Sequence, residues 1–213
     1  MAHKKEEDKK SQIFLILAVI FIYIAFLKIL GLSFFQTLDS SIGDSIPRIW
    51  STNATSIMLF ITNLGNYYVI PPLILALSFY LVYKKKYYLS LFSLLVFIFG
   101  TGLGEILKTL IAEERPSPKI ILESGYSFPS LHSVAAIILF SLLIYIFTGD
   151  IKSKFRRTIF VFFCIIFTLV IGFSRIYLNV HWFTDVLAGF ATGLFSFILL
   201  YLFFRFLKIK PER

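Results

Sequence analysis

The chain has 213 residues, of which 58% are hydrophobic and only 15% are charged. This balance excludes an ordinary water-soluble domain, in which about a quarter of the residues are charged. The net charge of +9 does not indicate nucleic-acid binding, because the positive residues lie in short segments between long apolar runs. The single cysteine, Cys164, excludes an intrachain disulfide. Composition therefore predicts an all-α integral membrane protein.

Six apolar runs are each long enough to cross a hydrocarbon layer of about 30 Å. In chain order they are Ile13–Leu32, Thr55–Tyr83, Tyr87–Leu110, Leu131–Thr148, Arg157–Phe173 and Phe183–Leu207. The first run is too long for a signal peptide and has no cleavage site after it, which favours an uncleaved anchor. The second contains Gly65 and Pro71-Pro72, which favours an interfacial helix followed by a shorter, kinked span. We expect one membrane domain over residues 13–208, a charged N-terminus over residues 1–12 and a short tail over residues 209–213.

The distribution of Lys and Arg predicts the orientation of these spans. If all six cross the membrane, 15 of the 21 positive residues lie on the side that holds both termini. Positive residues concentrate on the cytoplasmic side of membrane proteins. Both termini are therefore predicted to be cytoplasmic, in a multi-pass protein of the cytoplasmic (inner) membrane. The opposite face carries five positive residues: Arg48, Lys108, Arg115, Lys119 and Arg175.

Three motifs lie at the outer ends of these spans, so the predicted chemistry is extracytoplasmic. They are Lys108-x6-Arg115-Pro116, Pro129-Ser130-Leu131-His132 and Ser174-Arg175-x5-His181-x3-Asp185. Three cations in one pocket would neutralise a phosphate and the charge that develops on its equatorial oxygens. Guanidinium groups suit this task because their paired donors match two phosphate oxygens at once. The segment that begins at Ser130 would open a helix, whose free backbone N–H groups bind anions.

The two motif histidines carry the predicted phosphoryl transfer. His181 and Asp185 are four residues apart, so on one helical turn they can form a hydrogen bond. A carboxylate on one imidazole nitrogen fixes the tautomer and leaves the other nitrogen free to attack phosphorus. His132 can protonate the departing oxygen. No cluster of Asp, Glu, His or Cys has the spacing of a metal site, so we expect a reaction without metal or cofactor.

These motifs resemble the signature of the type 2 phosphatidic acid phosphatase family, Lys-x6-Arg-Pro, Pro-Ser-Gly-His and Ser-Arg-x5-His-x3-Asp. Every position matches except Leu131, where the family usually has glycine. The resemblance implies a six-helix lipid phosphatase that forms a phosphohistidine. It also implies roles for the residues: His181 as the nucleophile, Asp185 as its partner and His132 as the acid. The phosphate ligands that it implies are Lys108, Arg115, Ser130, Leu131 and Arg175.

Family members act on phosphatidic acid, phosphatidylglycerol phosphate, undecaprenyl pyrophosphate and lipid A phosphates, so a membrane lipid phosphate is the expected partner. Leucine at position 131 keeps its backbone N–H but adds bulk. We expect it to change the shape of the pocket or the choice of substrate without abolishing catalysis.

Three alternatives stay open from the residues alone. A lipid acceptor in place of water would make the chain a phosphotransferase with the same site. A haloperoxidase shares the motif set, but those enzymes are soluble, and six spans disfavour that interpretation. A silent scaffold or a transporter could use the same helices, although a silent relative would be expected to lose a motif histidine or arginine.

The remaining acidic residues near the predicted outer face carry weaker expectations. For Glu105, an ion pair with Lys108 and a role in positioning that lysine are equally favoured. Asp39 and Asp44 are expected in an outer loop with no chemical task.

Overall fold

The computed structural model describes residues 31–207 and, before them, residues 12–13, 15–20, 22–23 and 26–27. The described positions between 12 and 27 are helical. Residues 14, 21, 24–25 and 28–30 of the first predicted span lie outside the described residues. So do residues 1–11 of the predicted charged N-terminus and residues 208–213, which include the predicted tail.

Between residues 31 and 207 the chain forms seven α-helices, one 3₁₀ helix and no strand. The elements are α1 Ser33–Ser45, the 3₁₀ helix Ile46–Ile49, α2 Thr52–Leu64, α3 Ile70–Tyr83, α4 Tyr87–Ile111, α5 Leu131–Phe147, α6 Lys154–Tyr177 and α7 Phe183–Phe206. The all-α prediction is therefore correct for the described part of the chain.

Among the described residues, three helices are long and apolar enough to cross a membrane by length and composition, namely α4, α6 and α7. Two shorter apolar helices, α3 with 14 residues and α5 with 17 residues, accompany them. Large apolar side chains on the outer faces of these helices are exposed to the surroundings, as Phe79 and Phe155 illustrate. Such surfaces are stable in lipid and unfavourable in water. The chain is therefore a multi-pass membrane protein.

The second predicted run divides into two helices, which is the division that its glycine and prolines indicated. Helix α2 ends at Leu64 and is capped by Gly65, and α3 begins at Ile70. Pro71 lies in the first turn of α3, where the missing N–H costs no helical hydrogen bond. The prolines therefore start a new helix here and do not kink a continuous one.

Helix α5 lies at the centre of the bundle and packs against α4, α6 and α7. Its fully buried residues Val134, Ile138 and Leu142 form one core with Phe92 of α4. Every functional motif lies at one end of this bundle, because α4 ends there while α5 and α7 begin there. The core therefore fixes the relative positions of segments that are far apart in sequence.

The prediction that Asp39 and Asp44 lie in a loop is wrong. Both lie on α1, which is too short and too polar to register as a span. Tertiary contacts stabilise this helix, because Phe35 and Ile42 pack against the residues that surround the start of α7. Asp44 is exposed, whereas Asp39 is only 7% exposed.

Candidate active site

A cavity of about 780 Å³ lies between α3, α4, α5 and the loops at the outer end of the bundle. Six of the eight predicted site residues line it: Lys108, Arg115, Leu131, His132, Arg175 and His181. Ser130 and Asp185 lie behind this surface and are completely buried. The three motifs thus meet in one place, although their first and last members, Lys108 and Asp185, are 77 positions apart.

Arg175 lies on the last turn of α6 and is only 1% exposed. Helix α6 extends four residues beyond the predicted span end at Phe173, so this arginine belongs to the helix and not to the following loop. Its Nη1 donates to Thr62 Oγ1 of α2 at 2.7 Å. Its buried Nε makes no hydrogen bond to the described residues. A buried guanidinium N–H without an acceptor is unfavourable, so this group is suited to binding an anion.

Arg115 holds the loop that closes the cavity. Its Nε donates to Gly125 O at 3.0 Å and its Nη2 to Tyr126 O at 3.0 Å. Its Nη1 donates to Val180 O at 2.7 Å. These bonds connect the loop that precedes the second motif to Val180 of the third motif. Arg115 therefore positions the backbone of the site and also supplies a positive charge to it.

Lys108 contributes to the same loop. Its Nζ donates to Tyr126 O at 2.8 Å and lies 3.4 Å from Ser127 O. Two of the three predicted phosphate-binding cations, Lys108 and Arg115, therefore also anchor backbone carbonyls of residues 124–127 and of Val180.

Glu123 is a site residue that the sequence analysis missed. Its Oε1 accepts a hydrogen bond from Arg175 Nη2, and its Oε2 lies 3.9 Å from Arg115 Nη2. The side chain lines the same cavity. It is the single acid between the first two motifs, but it belongs to no spaced pattern that would mark it as part of the site. Its proximity to Arg175, 52 positions later, arises only from the fold.

His181 lies in the short loop between α6 and α7, and its Nδ1 is 3.2 Å from Asp185 Oδ2. Its Nε2 is 3.2 Å from Arg115 Nη1. Because a guanidinium only donates, Nε2 accepts this bond and the ring proton lies on Nδ1, facing the carboxylate. Asp185 Oδ2 also accepts from the backbone N–H of Trp182 at 2.8 Å. This arrangement places the only lone pair of Nε2 against Arg115 Nη1, on the side of the ring that lines the cavity.

Burial, reinforced by the positive charges of Arg175 and Arg115, holds the pKa of His181 well below its ordinary value of 6.5. The imidazole is therefore neutral at neutral pH. A neutral ring is the form that can attack an electrophile.

Asp39 supports this loop from α1. Its Oδ1 accepts from the backbone N–H of Thr184 at 3.0 Å and its Oδ2 from Thr184 Oγ1 at 2.5 Å. Thr184 lies in the first turn of α7, where backbone N–H groups have no partner within the helix. Asp39 thus caps, from a distant helix, the turn that carries Asp185.

The second motif starts α5, with Ser130 as its N-terminal cap. The backbone N–H of Ser130 donates to Asp185 O at 3.0 Å, which joins the second and third motifs. Ser130 Oγ and His132 Nε2 are buried and make no hydrogen bond to the described residues. These groups therefore remain able to bind a ligand, and Leu131 lines the cavity next to them.

Comparison with known proteins decides the family. A model of the PAP2 superfamily matches residues 89–209. Phosphatidylglycerophosphatase B of Bacillus subtilis (strain 168) is 34% identical over 167 residues, covering 77% of this chain and 82% of that protein. The chain belongs to the PAP2 superfamily. This confirms the resemblance drawn from the three motifs and the assignment as a phosphatase.

A further relative and two solved structures are also similar to this chain. An undecaprenyl-diphosphatase of Sulfolobus acidocaldarius is 28% identical over 145 residues, which is 64% of each chain. The crystal structure of a transmembrane PAP2-type phosphatidylglycerolphosphate phosphatase from Bacillus subtilis superposes with a TM-score of 0.80 at 28% identity. That match covers 93% of this chain and 98% of the other. Aquifex aeolicus LpxE shares the fold, with a TM-score of 0.59 at 24% identity over 77% of this chain and 94% of the other.

Proposed function

We propose that this PAP2 protein is a metal-independent lipid phosphatase that works through a phosphohistidine. The observation that carries the proposal is the composition of the 780 Å³ cavity described above. One end holds the neutral imidazole of His181 beside Arg115 and Arg175, and the other end is lined by apolar side chains such as Phe97 and Ile98. A charged phosphate on a lipid requires both kinds of lining in a single continuous space.

In the first chemical step, Arg115 Nη1 transfers its hydrogen bond from His181 Nε2 to a phosphoryl oxygen, and Nε2 attacks phosphorus while the bond to the leaving oxygen breaks. Asp185 holds the Nδ1 proton and stabilises the positive charge that the ring acquires. His132 Nε2 donates a proton to the leaving oxygen. Arg115 and Arg175, with Lys108, neutralise the phosphoryl oxygens in the transition state.

In the second step, water attacks the phosphorus of the phosphohistidine and the P–N bond breaks. His132, now deprotonated, accepts the proton of the attacking water, which returns it to the acid form. Inorganic phosphate leaves and His181 regains its neutral state. The proton that His132 gives to the leaving oxygen in the first step is thus replaced by one from the attacking water in the second.

The proposed topology has six spans, with both termini in the cytoplasm and the site on the extracytoplasmic face of the cytoplasmic (inner) membrane. The excess of Lys and Arg at the opposite ends of the helices supports it. A single cysteine introduced at Glu114, in a C164S background, should react with a membrane-impermeant thiol reagent added outside intact cells. Labelling only after the cells are broken would place the site in the cytoplasm.

The lipid phosphates on which members of the family act supply the candidate substrates. The experiment is phosphate release by the detergent-purified protein, in the presence of a chelator. The panel contains phosphatidic acid, phosphatidylglycerol phosphate, undecaprenyl diphosphate and lipid A, with His181→Ala and His132→Ala run alongside. Release that resists the chelator and is lost in His181→Ala is the expected result. No release from any lipid, or equal release from His181→Ala, would overturn the proposal.

A further inference from the structure

Glu105 is an ionisable residue within α4 that the mechanism does not use. The ion pair with Lys108 that the sequence allowed is not formed, because Lys108 Nζ donates to Tyr126 O and Ser127 O instead. The side chain of Glu105 is exposed and lines the cavity, and its carboxylate makes no hydrogen bond or ion pair with the residues that the structure describes. Ionisable side chains inside membrane spans are costly and mark ligand sites or pathways. Glu105 is therefore accessible to a ligand in the cavity that can donate a hydrogen bond to it.

The position of Glu105 relative to the phosphate-binding end defines where that ligand lies. Helix α4 rises about 1.5 Å per residue, so Glu105 lies about 4.5 Å nearer the membrane interior than Lys108, along the helix axis. If the phosphate binds as proposed above, the group directly attached to it lies beside Glu105. This step rests on the proposed function.

Asn66 provides a second acceptor in the same cavity. Its Oδ1 is buried and makes no hydrogen bond to the described residues, and the residue lines the cavity. The preceding residue, Gly65, is so close to the proposed acid that an added Cβ would lie 3.2 Å from His132 Cδ2. A buried carbonyl oxygen without a donor is unfavourable, so Asn66 is also suited to a hydroxyl ligand next to the leaving oxygen.

The charges of the cavity lining exclude one kind of headgroup. The Lys and Arg residues among its lining are Lys108, Arg115 and Arg175, and all three come from the motifs assigned to the transferred phosphate. A second phosphate attached directly to the first would lie against the carboxylate of Glu105 without a cation of its own. Like charges brought together in a partly desolvated site oppose binding.

We propose that Glu105 and Asn66 form a subsite for headgroup hydroxyls. The substrate is then a lipid phosphomonoester whose phosphate is carried on a hydroxyl-bearing, polyol headgroup such as glycerol. Lipid diphosphates are poor substrates because they place an anion beside Glu105. Phosphate joined directly to a diacylglycerol is an intermediate case, since it brings neither a second charge nor a free hydroxyl.

The test compares kcat/KM for phosphatidylglycerol phosphate, phosphatidic acid and undecaprenyl diphosphate in one detergent. The proteins are the wild type, Glu105→Gln, Asn66→Ala and the control Glu114→Gln. The control removes the same charge from an exposed side chain outside the cavity. All rates are normalised to hydrolysis of 4-nitrophenyl phosphate by the same preparation, which corrects for loss of folded protein.

The wild type is expected to prefer the glycerol headgroup over the diphosphate. Glu105→Gln should reduce that preference about tenfold, the size of one charge-assisted hydrogen bond, and Asn66→Ala should lower it in the same direction. The control should keep the wild-type preference. A preference that both variants leave unchanged, or a wild type that favours the diphosphate, would overturn the subsite. Hydrolysis would still proceed in that case, whereas failure of the proposed function would abolish hydrolysis of every lipid.

Discussion

The carboxylate of Glu123 lies against the guanidinium of Arg175, where the proposed mechanism places a phosphate oxygen. Oε1 accepts from Arg175 Nη2, and Oε2 is 3.9 Å from Arg115 Nη2. An anion of the protein thus bridges two of the three cations proposed to bind the substrate. Phosphate binding and the Glu123 contact compete for the same donors.

Replacing Glu123 by Gln should therefore strengthen binding of small oxyanions. Removing a charge-assisted hydrogen bond that competes with the ligand is worth about 1.4 kcal/mol, or about tenfold in affinity. We expect the inhibition constants of inorganic phosphate and vanadate to fall by about that factor. The measurement is competitive inhibition of lipid hydrolysis.

Glu114→Gln is the matched control for this charge, since the Glu114 side chain is exposed and does not line the cavity. It should leave both inhibition constants at the wild-type values. If Glu123→Gln weakened oxyanion binding instead, Glu123 would hold the arginines in position for the phosphate and would not compete with the phosphate for them.

Asp39 should affect turnover more than substrate affinity. It caps the first turn of α7 through Thr184, and this turn presents Asp185 to His181. In Asp39→Ala the turn loses both acceptors. A small displacement of a catalytic pair lowers the rate of the chemical step strongly. We expect kcat to fall about ten- to a hundredfold with KM nearly unchanged. Steady-state kinetics on one lipid substrate measures this split.

Asp39→Asn distinguishes positioning from general stability, because the amide oxygen still accepts a hydrogen bond from Thr184. It should recover most of the lost kcat. Asp44→Ala, an exposed change on the same helix, should behave as the wild type. Equal losses in Asp39→Asn and Asp39→Ala, matched by equal losses of thermal stability, would contradict a positioning role.

Local sequence patterns predicted the helices that run through the core. Helix α4 starts at the predicted Tyr87 and ends one residue beyond the predicted Leu110, while α5 and α7 each end one residue before their predicted ends. Continuous apolar runs bounded by charged or turn-forming residues determine these limits. Helix α6 is longer than predicted because Ser153 caps it before the apolar run begins.

Contacts between distant segments could not be predicted in the same way. Asp39 and Thr184 are 145 positions apart, and Glu123 and Arg175 are 52 apart. Neither acid belongs to a spaced motif, so nothing in its neighbourhood distinguishes it from a solvated surface charge. The motifs predicted which residues meet in the cavity, but the groups that orient or compete with them depend on packing.

The depressed pKa of His181 predicts how stability depends on pH. In the unfolded chain this histidine binds a proton as the pH falls through about 6.5, whereas the buried ring in the folded protein stays neutral. The unfolded state therefore binds more protons below pH 6.5, and folding stability decreases as the pH falls. In His181→Gln this contribution is absent. The difference between the midpoints of thermal unfolding, His181→Gln minus wild type, should therefore increase as the pH is lowered from 8 to 5. A constant difference across that range would show that His181 titrates alike in both states.

Leu131 should contribute to packing and to the shape of the pocket more than to the chemistry. Its Cδ2 lies only 2.7 Å from the position of a Cβ added to Gly104, so the leucine fills the space that this glycine leaves on α4. Leu131→Gly restores the usual family residue but removes this contact and puts glycine in the first turn of α5, at a cost of about 1 kcal/mol for the glycine alone. We expect a lower midpoint of thermal unfolding with hydrolysis retained and a changed ranking of lipid substrates.

Leu131→Ala, which leaves the same space without the flexible backbone, should show a similar ranking and a smaller loss of stability. If Leu131→Gly instead activated a wild type that hydrolyses no lipid phosphate, leucine at this position would mark a degenerate enzyme.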